Sequence, residues 1–219
     1  MALITDIRAP QRGSRLREIV VDGEPFRTTS LDVIRALGLR AGTIMPPEEL
    51  AARLDTEEPR IARERALRLL GYRDRSSTDL RARLVADGFT SRVAADVVAD
   101  LSHVSLVDDD RYAASTARNL TSVRGFGRSR ARRVLLSQGV DAQTADRAVS
   151  EALPAEAEEE AARSLARALA RRPDASTERV ATRLARRGYP TALALRLAQE
   201  AVAEAGGDDM PPDLPLPDD

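Results

Sequence analysis

The sequence predicts a mainly α fold: three tandem three-helix repeats forming an elongated, curved body, preceded by a small α+β module of a β-hairpin and short helices. Composition is the first reason. Hydrophobic residues make up 42% of the 219 and aromatics only 3%. The core must therefore come from Leu, Val, Ile and Ala, which with abundant Arg and Glu favours helix. Spacing is the second reason. Gly88-Phe89, Gly139-Val140 and Gly188-Tyr189 recur 51 and 49 residues apart. Twelve residues before those glycines stand Ser76, Gly127 and Ser176; eight before, Leu80, Ala131 and Val180; four before, Leu84, Leu135 and Leu184; six after, Ala94, Ala145 and Ala194. A period near fifty kept at five positions marks internal repetition. The third reason is contrast, because residues 1–58 lack this plan and alternate like short strands.

In that leading module Leu3 to Ile7 and Leu16 to Val21 are strand candidates. Asp22-Gly23 is a hairpin turn signal, and Glu24 to Thr29 the returning strand. Ser30 caps a short helix from Leu31 to Leu37 that Gly38 ends. Pro46 and Pro47 before Glu48-Glu49-Leu50 open another helix, with proline and acid in its first turn. Thr56 to Arg60, with Pro59, is expected to be a linker.

The helical part divides into 61–107, 108–153 and 154–205. Each repeat has a leading helix, a polar or glycine joint, a short helix, a glycine followed by an apolar residue, and a third helix. The glycine ends the second helix in the left-handed conformation, and the apolar residue after it folds back. Ser76-Ser77-Thr78-Asp79 offers a capping box, and Pro190 suits the start of a helix. The first leading helix is expected to turn Ala66, Leu67 and Leu70 inward, and the third Ala162, Leu165, Ala166 and Leu169. Glu156 to Glu160 open the third leading helix and Arg167, Arg171 and Arg172 close it, matching the helix dipole. Residues 206–219 combine Gly206-Gly207, four prolines and acids, and are expected to be disordered.

Several classes are disfavoured. Cysteine is absent, which removes disulfides and thiolate sites. The single histidine, His103, makes a His-based metal site a poor reading, and a structural role fits it better. No metal or cofactor is expected. Asp108-Asp109-Asp110 reads as a helix start, because consecutive acids on a helix diverge by about 100° each. Gly125-Phe126-Gly127 lacks the strand and third glycine of a dinucleotide fingerprint. No catalytic triad or phosphate-binding loop is evident, so an enzyme is the least favoured reading. The sequence shows no long apolar run, which argues against a membrane span or signal peptide and for a cytoplasmic location; a monomer is expected.

The charge layout is informative. The chain carries 34 basic and 35 acidic residues, and every basic one is arginine. From Glu204 onward there are only acids, so the preceding part is net positive. Between Arg111 and Val140 there is no acid at all, only Arg111, Arg118, Arg124, Arg128, Arg130, Arg132 and Arg133. At about 100° per residue, Arg128, Arg130, Arg132 and Arg133 fall in the arc that Ala131, Val134 and Leu135 leave free. A solvated face usually mixes signs, so a binding strip for an acidic partner is preferred over a solubilising one. Arg179, Arg183 and Arg187, with Arg186, form a weaker copy in the third repeat. In the first repeat Arg68, Arg73, Arg75, Arg81 and Arg83 are diluted by Asp74 and Asp79. Aromatics are too sparse for a base-stacking platform; Phe126 and Tyr112 are the only candidates near the strip.

The stretch Asp109-Asp110-Arg111-Tyr112-Ala113, then Arg118, Arg124-Gly125-Phe126-Gly127, Leu135 and Gly139, resembles the RecX family of RecA recombinase regulators. Ala66-Leu67, Leu70, Tyr72-Arg73, Arg75-Ser76, Asp79-Leu80, Leu84 and Gly88 are similar to that family's opening signature. So are Val21-Asp22-Gly23-Glu24, Phe26, Gly38-Leu39, Gly42 and Glu48-Glu49-Leu50. The resemblance spans about residues 3–204; Ser76-Ser77-Thr78 and the acidic proline-rich tail depart from it. It implies a non-enzymatic regulator of recombination and DNA repair. Such a protein binds in the groove of the RecA–single-stranded DNA filament and inhibits filament growth, ATP hydrolysis and strand exchange. Arg124, Arg128, Arg132 and Arg133 would then lead the contact with DNA phosphate or acidic RecA surface. The second reading is a direct nucleic-acid binder, sequence-tolerant or helix-turn-helix-like. The third is a scaffold with no nucleic-acid role.

Overall fold

The computed structural model describes residues 1–207. It separates into two compact units, Met1–Tyr112 and the part from Ala113 onward. The first unit opens with an antiparallel sheet of β1 (Ala2–Arg8), β2 (Leu16–Val21), β3 (Glu24–Ser30) and β4 (Ile44–Met45), in the order β3-β2-β1-β4. Asp22 and Gly23 turn β2 into β3, and the Asp22 carboxylate accepts the Leu3 N–H at 2.9 Å, which ties the turn to β1. Strand β4 is too short to carry a period-two signal and escapes sequence reading. Helix α1 (Leu31–Ala36) starts at Ser30, whose hydroxyl accepts the Val33 N–H.

Helix α2 runs unbroken over Pro47–Tyr72. The linker expected at Thr56 to Arg60 is therefore a helix interior. Its buried stripe is Leu50, Leu54, Glu58, Ile61, Ala62 and Ala66, one helical face carried straight through the proline. Pro59 lies on the exposed side, where the carbonyl one turn earlier can turn to water. The proline costs the helix one hydrogen bond, but the apolar stripe on either side of it packs on one core. Leu67 is 41% exposed, contrary to the expectation that it faces inward.

Helices α3 (Ser77–Ala86) and α4 (Ser91–His103) complete the first triple and pack on each other and on α2. Helix α5 (Asp109–Arg118) continues into a wider π-type turn, Asn119–Val123, and is followed by α6 (Arg128–Ser137) and α7 (Ala142–Ala152). The third triple is α8 (Ala155–Ala170), α9 (Thr177–Arg186) and α10 (Thr191–Gly207), with its own core from Ala162 to Ala201. The tail expected to be disordered from 206 lies, beyond Gly207, outside the described residues.

The repeat markers do what their spacing suggests. Gly88, Gly139 and Gly188 have φ of 95°, 83° and 92°. The next N–H of each, from Phe89, Val140 and Tyr189, returns to the carbonyl of Leu84, Leu135 or Leu184 at 3.1, 3.2 and 3.3 Å. This is the helix-ending motif that places an apolar residue back on its own helix, and all three are buried. Ala94, Ala145 and Ala194 are buried to within 1%, so the third helix of each triple crosses closely.

Glu58 is a buried carboxylate, 3% exposed, accepting the Thr90 N–H at 3.2 Å at the start of α4. Burial pushes its carboxyl above the usual carboxylate range, and the Thr90 N–H and the nearby Arg27 charge oppose that shift without reversing it. A carboxyl raised in the folded state stabilises fully below its unfolded value and loses that contribution as pH rises through its folded value. Glu58→Gln keeps the acceptor and removes the ionisation. Its melting temperature relative to the parent is expected to rise as the pH is raised above the usual carboxylate range and then to level off once Glu58 is ionised in the folded parent; a difference independent of pH would refute the assignment.

Candidate nucleic-acid and filament interface

The arginine stretch sits where α5 ends and α6 begins. Asp108 caps α5 by accepting the Arg111 N–H at 2.8 Å. Asp109 leaves its own helix and accepts the Ser77 N–H at 2.7 Å and the Ser77 hydroxyl at 2.5 Å, at the start of α3. Two acids of the triplet thus serve two different helix starts. Among the described residues no group of three or more acids, His or Cys is arranged to hold a metal ion, and no helix is long and apolar enough to cross a membrane.

The π-type turn closes with the Arg124 N–H on the Asn119 carbonyl at 3.0 Å and the Phe126 N–H on the Leu120 carbonyl at 2.9 Å. Gly127 then starts α6 without a side-chain cap. Ser76 and Ser176, its counterparts, both accept an N–H three residues on. The reason for glycine is a close backbone approach. A Cβ on Gly127 would stand 2.6 Å from the Gly188 carbonyl oxygen, and one on Gly188 would collide with Arg130. The missing cap comes from elsewhere: the Glu158 carboxylate of α8 accepts the Arg128 N–H at 2.8 Å.

This crossing of α6 and α9 employs several of the candidate arginines. The Gly127 N–H donates to the Arg187 carbonyl at 2.9 Å, and the Arg130 guanidinium to the Arg186 carbonyl at 2.5 Å. Arg187 reciprocates on the Arg124 carbonyl at 2.5 Å. Each guanidinium thus meets the carbonyl end of the opposite helical segment, which the helix dipole makes negative. Arg130 also stacks on Phe126, 4.1 Å from the ring centre, with Arg124 at 5.8 Å on the same ring.

The acid-free face of the linear sequence does not stay acid-free in the fold. Asp146 of α7 pairs with Arg132 at 2.5 Å, and that hydrogen bond holds the Asp146 carboxyl below its usual range. Arg128 bonds the Ser150 hydroxyl at 2.9 Å, and Arg179 pairs with Asp174 at 3.2 Å. Arg111, in the first unit, reaches the Ser105 carbonyl at 3.3 Å. The dilution expected in the first repeat is present, with Arg75 and Arg83 on Asp79 at 2.7 and 3.0 Å. What remains of the candidate arginines is a smaller set: among the described residues, the side chains of Arg118, Arg124, Arg133 and Arg183 make no hydrogen bond or ion pair, Arg124 lying only over the Phe126 ring. They lie on α5, the joint, α6 and α9 of the second unit, and Arg186 is a fifth of the kind. The sequence separation of 14 between Arg132 and Asp146, and of 30 between Arg128 and Glu158, is why reading the segment alone could not sort them.

A chain of helical triples in which two helix ends lock backbone to backbone is a helical-repeat protein. The family model described as RecX, first three-helix domain, matches residues 62–101. Regulatory protein RecX of Corynebacterium efficiens is 35% identical over 158 residues, covering 68% of this chain and 75% of that protein. The namesake from Streptomyces coelicolor is 34% identical over 152 residues, covering 67% and 80%, and that from Amycolatopsis mediterranei 31% over 169, covering 75% and 94%. The chain belongs to the RecX family. Its fold is also that of a crystal structure of regulatory protein RecX, with a TM-score of 0.60 at 24% identity over 93% of this chain and all of that one.

The Gly127 contact gives a direct test. A serine there would match the caps of the other repeats and, on capping grounds alone, stabilise α6 by about 1 kcal/mol. The Gly188 carbonyl forbids it, so Gly127→Ser is expected to destabilise the chain by roughly 1–3 kcal/mol. Denaturant unfolding of the variant beside Ser176→Gly, which should lose only a few tenths, measures this. A stabilised Gly127→Ser chain would mean that the close approach is absent.

Proposed function

We propose that this chain regulates recombination by binding the RecA–single-stranded DNA filament, where it inhibits filament growth, RecA ATP hydrolysis and strand exchange. Membership of the RecX family supports a regulatory role. The observation that carries the finer reading is that Arg118, Arg124, Arg133 and Arg183 of the second unit have no carboxylate partner among the described residues, while Arg130, Arg132 and Arg187 beside them are engaged by the fold. Unpaired guanidinium groups bond two phosphate or carboxylate oxygens at once. A filament presents such oxygens repeatedly. Arg132 and Arg128 contribute from the flank of the same helix, whereas Arg130 and Arg187 hold the site's backbone in place.

The experiment is RecA ATPase on single-stranded DNA with this protein titrated in. The parent should inhibit. The chain with Arg118, Arg124, Arg133 and Arg183 all changed to Glu should need at least about tenfold more protein, given how steeply phosphate contacts set affinity, while keeping its circular dichroism and melting temperature. Absence of inhibition by the parent in excess removes the proposal. Equal inhibition by the folded variant removes the arginine assignment. Retention of naked single-stranded DNA with no effect on RecA would instead favour the direct nucleic-acid binder.

A further inference from the structure

The chain has three phenylalanines, three tyrosines and no tryptophan, and the fold uses all of these rings but one. Phe89 and Tyr189 are buried, and Phe26 packs against the first core. Phe126 lies under the Arg130 guanidinium at 4.1 Å. Tyr112 is half-buried and already has a partner. The aromatics beside the arginine strip are thus committed. Tyr72, the last residue of α2 in the first unit, is the exception. It is 86% exposed and makes no hydrogen bond or ring contact among the described residues.

Two cations flank it. Arg68 stands one turn earlier on the same helix face, about 6 Å away, exposed and without a carboxylate partner among the described residues. Arg73 follows Tyr72 in extended backbone. Its ion-pair contact, Asp79 at 3.9 Å, is already held by Arg75 at 2.7 Å and Arg83 at 3.0 Å. Of the other acids on this stretch, Glu64 is bound by Arg60 at 2.5 Å, and Asp74 is exposed. Leu67, also exposed, adds apolar surface one turn before Gly71.

Gly71 is the independent second observation. It lies inside the last turn of α2, outside the left-handed region, and a Cβ there would meet nothing within 4 Å. Neither backbone geometry nor packing asks for glycine, which costs a helix stability relative to alanine. What glycine does supply is a bare stretch of helix beside Tyr72.

We infer that Tyr72 is a stacking residue for an unpaired nucleobase, with Gly71 leaving room for the base and Arg68 and Arg73 taking phosphates on either side of it. A ring this open at a helix end offers a face rather than a pocket, which suits the flat surface of a base. The two guanidinium groups suit the phosphates that come with it. Every base has a π-face, so the contact is sequence-tolerant. The inference rests on the proposed function in one respect, that a filament carrying single-stranded DNA is what presents the bases.

The full-length protein reports on this contact itself, because without tryptophan its emission comes from three tyrosines. A thymidine oligonucleotide is expected to quench that emission saturably. An abasic strand of the same length, with phosphates but no bases, should not. Tyr72→Phe should bind the thymidine strand like the parent but without the quenching. Tyr72→Ala should bind it roughly five- to a hundredfold more weakly, the range of an aromatic–base stack, with binding of the abasic strand unchanged. Gly71→Gln should raise the melting temperature and weaken binding of the thymidine strand alone. Equal binding of that strand by Tyr72→Ala and the parent, quenching that survives in Tyr72→Phe, or no binding by the parent each overturns the stacking. A Gly71→Gln chain that binds like the parent overturns the role of Gly71. If Tyr72→Ala binds both strands like the parent yet no longer inhibits RecA, the base contact is overturned and the patch is a protein contact. A parent that is quenched by the strand but leaves RecA ATPase untouched counts against the proposed function and leaves the Tyr72 assignment standing.

Discussion

The backbone contact between Gly127 and Gly188 is the constraint from which the second unit follows. Two helix ends meet so closely that neither position accepts a Cβ. Helix ends carry unpaired N–H and carbonyl groups, and bringing two of them together without water would be costly unless each satisfied the other. Here they do. The carbonyls of Arg186 and Arg187 at the end of α9 receive the Arg130 guanidinium and the Gly127 N–H, and Arg187 returns a bond to the carbonyl of Arg124. The same contact explains why the second repeat has glycine where its neighbours have a serine cap, and why its cap must come from Glu158.

That borrowed cap has a counterpart in the first unit. Asp109, from the helix that follows the first triple, reaches Ser77; Glu158, from the helix that follows the second, reaches Arg128. Ser77 and Arg128 each stand one residue after the repeat marker Ser76 or Gly127. So one device recurs: the leading helix of each following triple lends a carboxylate to the N-terminus of the short helix before it. A carboxylate on backbone N–H groups at a helix start is favoured both by hydrogen bonding and by the dipole. In the first case it adds to the cap of Ser76, and in the second it replaces a cap that glycine cannot supply. The helix-ending glycine of the first triple meets a comparable demand, since a Cβ on Gly88 would stand 2.9 Å from the Arg15 carbonyl oxygen where β2 begins.

How much of this was legible in the sequence depended on the range of the interaction. Caps, helix-ending glycines, the hairpin and the fifty-residue period are set within a few residues of chain, and Ser30, Ser76, Ser176, Gly88, Gly139 and Gly188 act as their neighbours imply. The linker expected at Thr56 to Arg60 is helix instead, because the spacing Leu50, Leu54, Glu58, Ile61 keeps one buried face through Pro59 and outweighs the proline. The leading-module strand β4 is only two residues and is made by its pairing to Ala2 and Leu3, so no local pattern announces it. The arginine face was legible as charge but not as availability. Asp146 and Glu158 lie outside the acid-free stretch, and folding returns them to it.

The arginines of the joint therefore fall into kinds that differ in what a partner could take from them. Arg130 and Arg187 bond carbonyls at helix ends, and withdrawing either would leave a polar backbone group unpaired at a tight crossing. They stay with the fold. Arg132 is different, since its pair with Asp146 is exposed on both sides and exposed ion pairs of this kind contribute little to stability. A phosphate could draw Arg132 away at small cost and leave Asp146 to water. Arg118, Arg124, Arg133 and Arg183 have no such bond to surrender. Charge count alone would rank all of these arginines equally; the partner each must give up is what orders them, with the unpaired set first, the exposed pair second and the carbonyl clamps last.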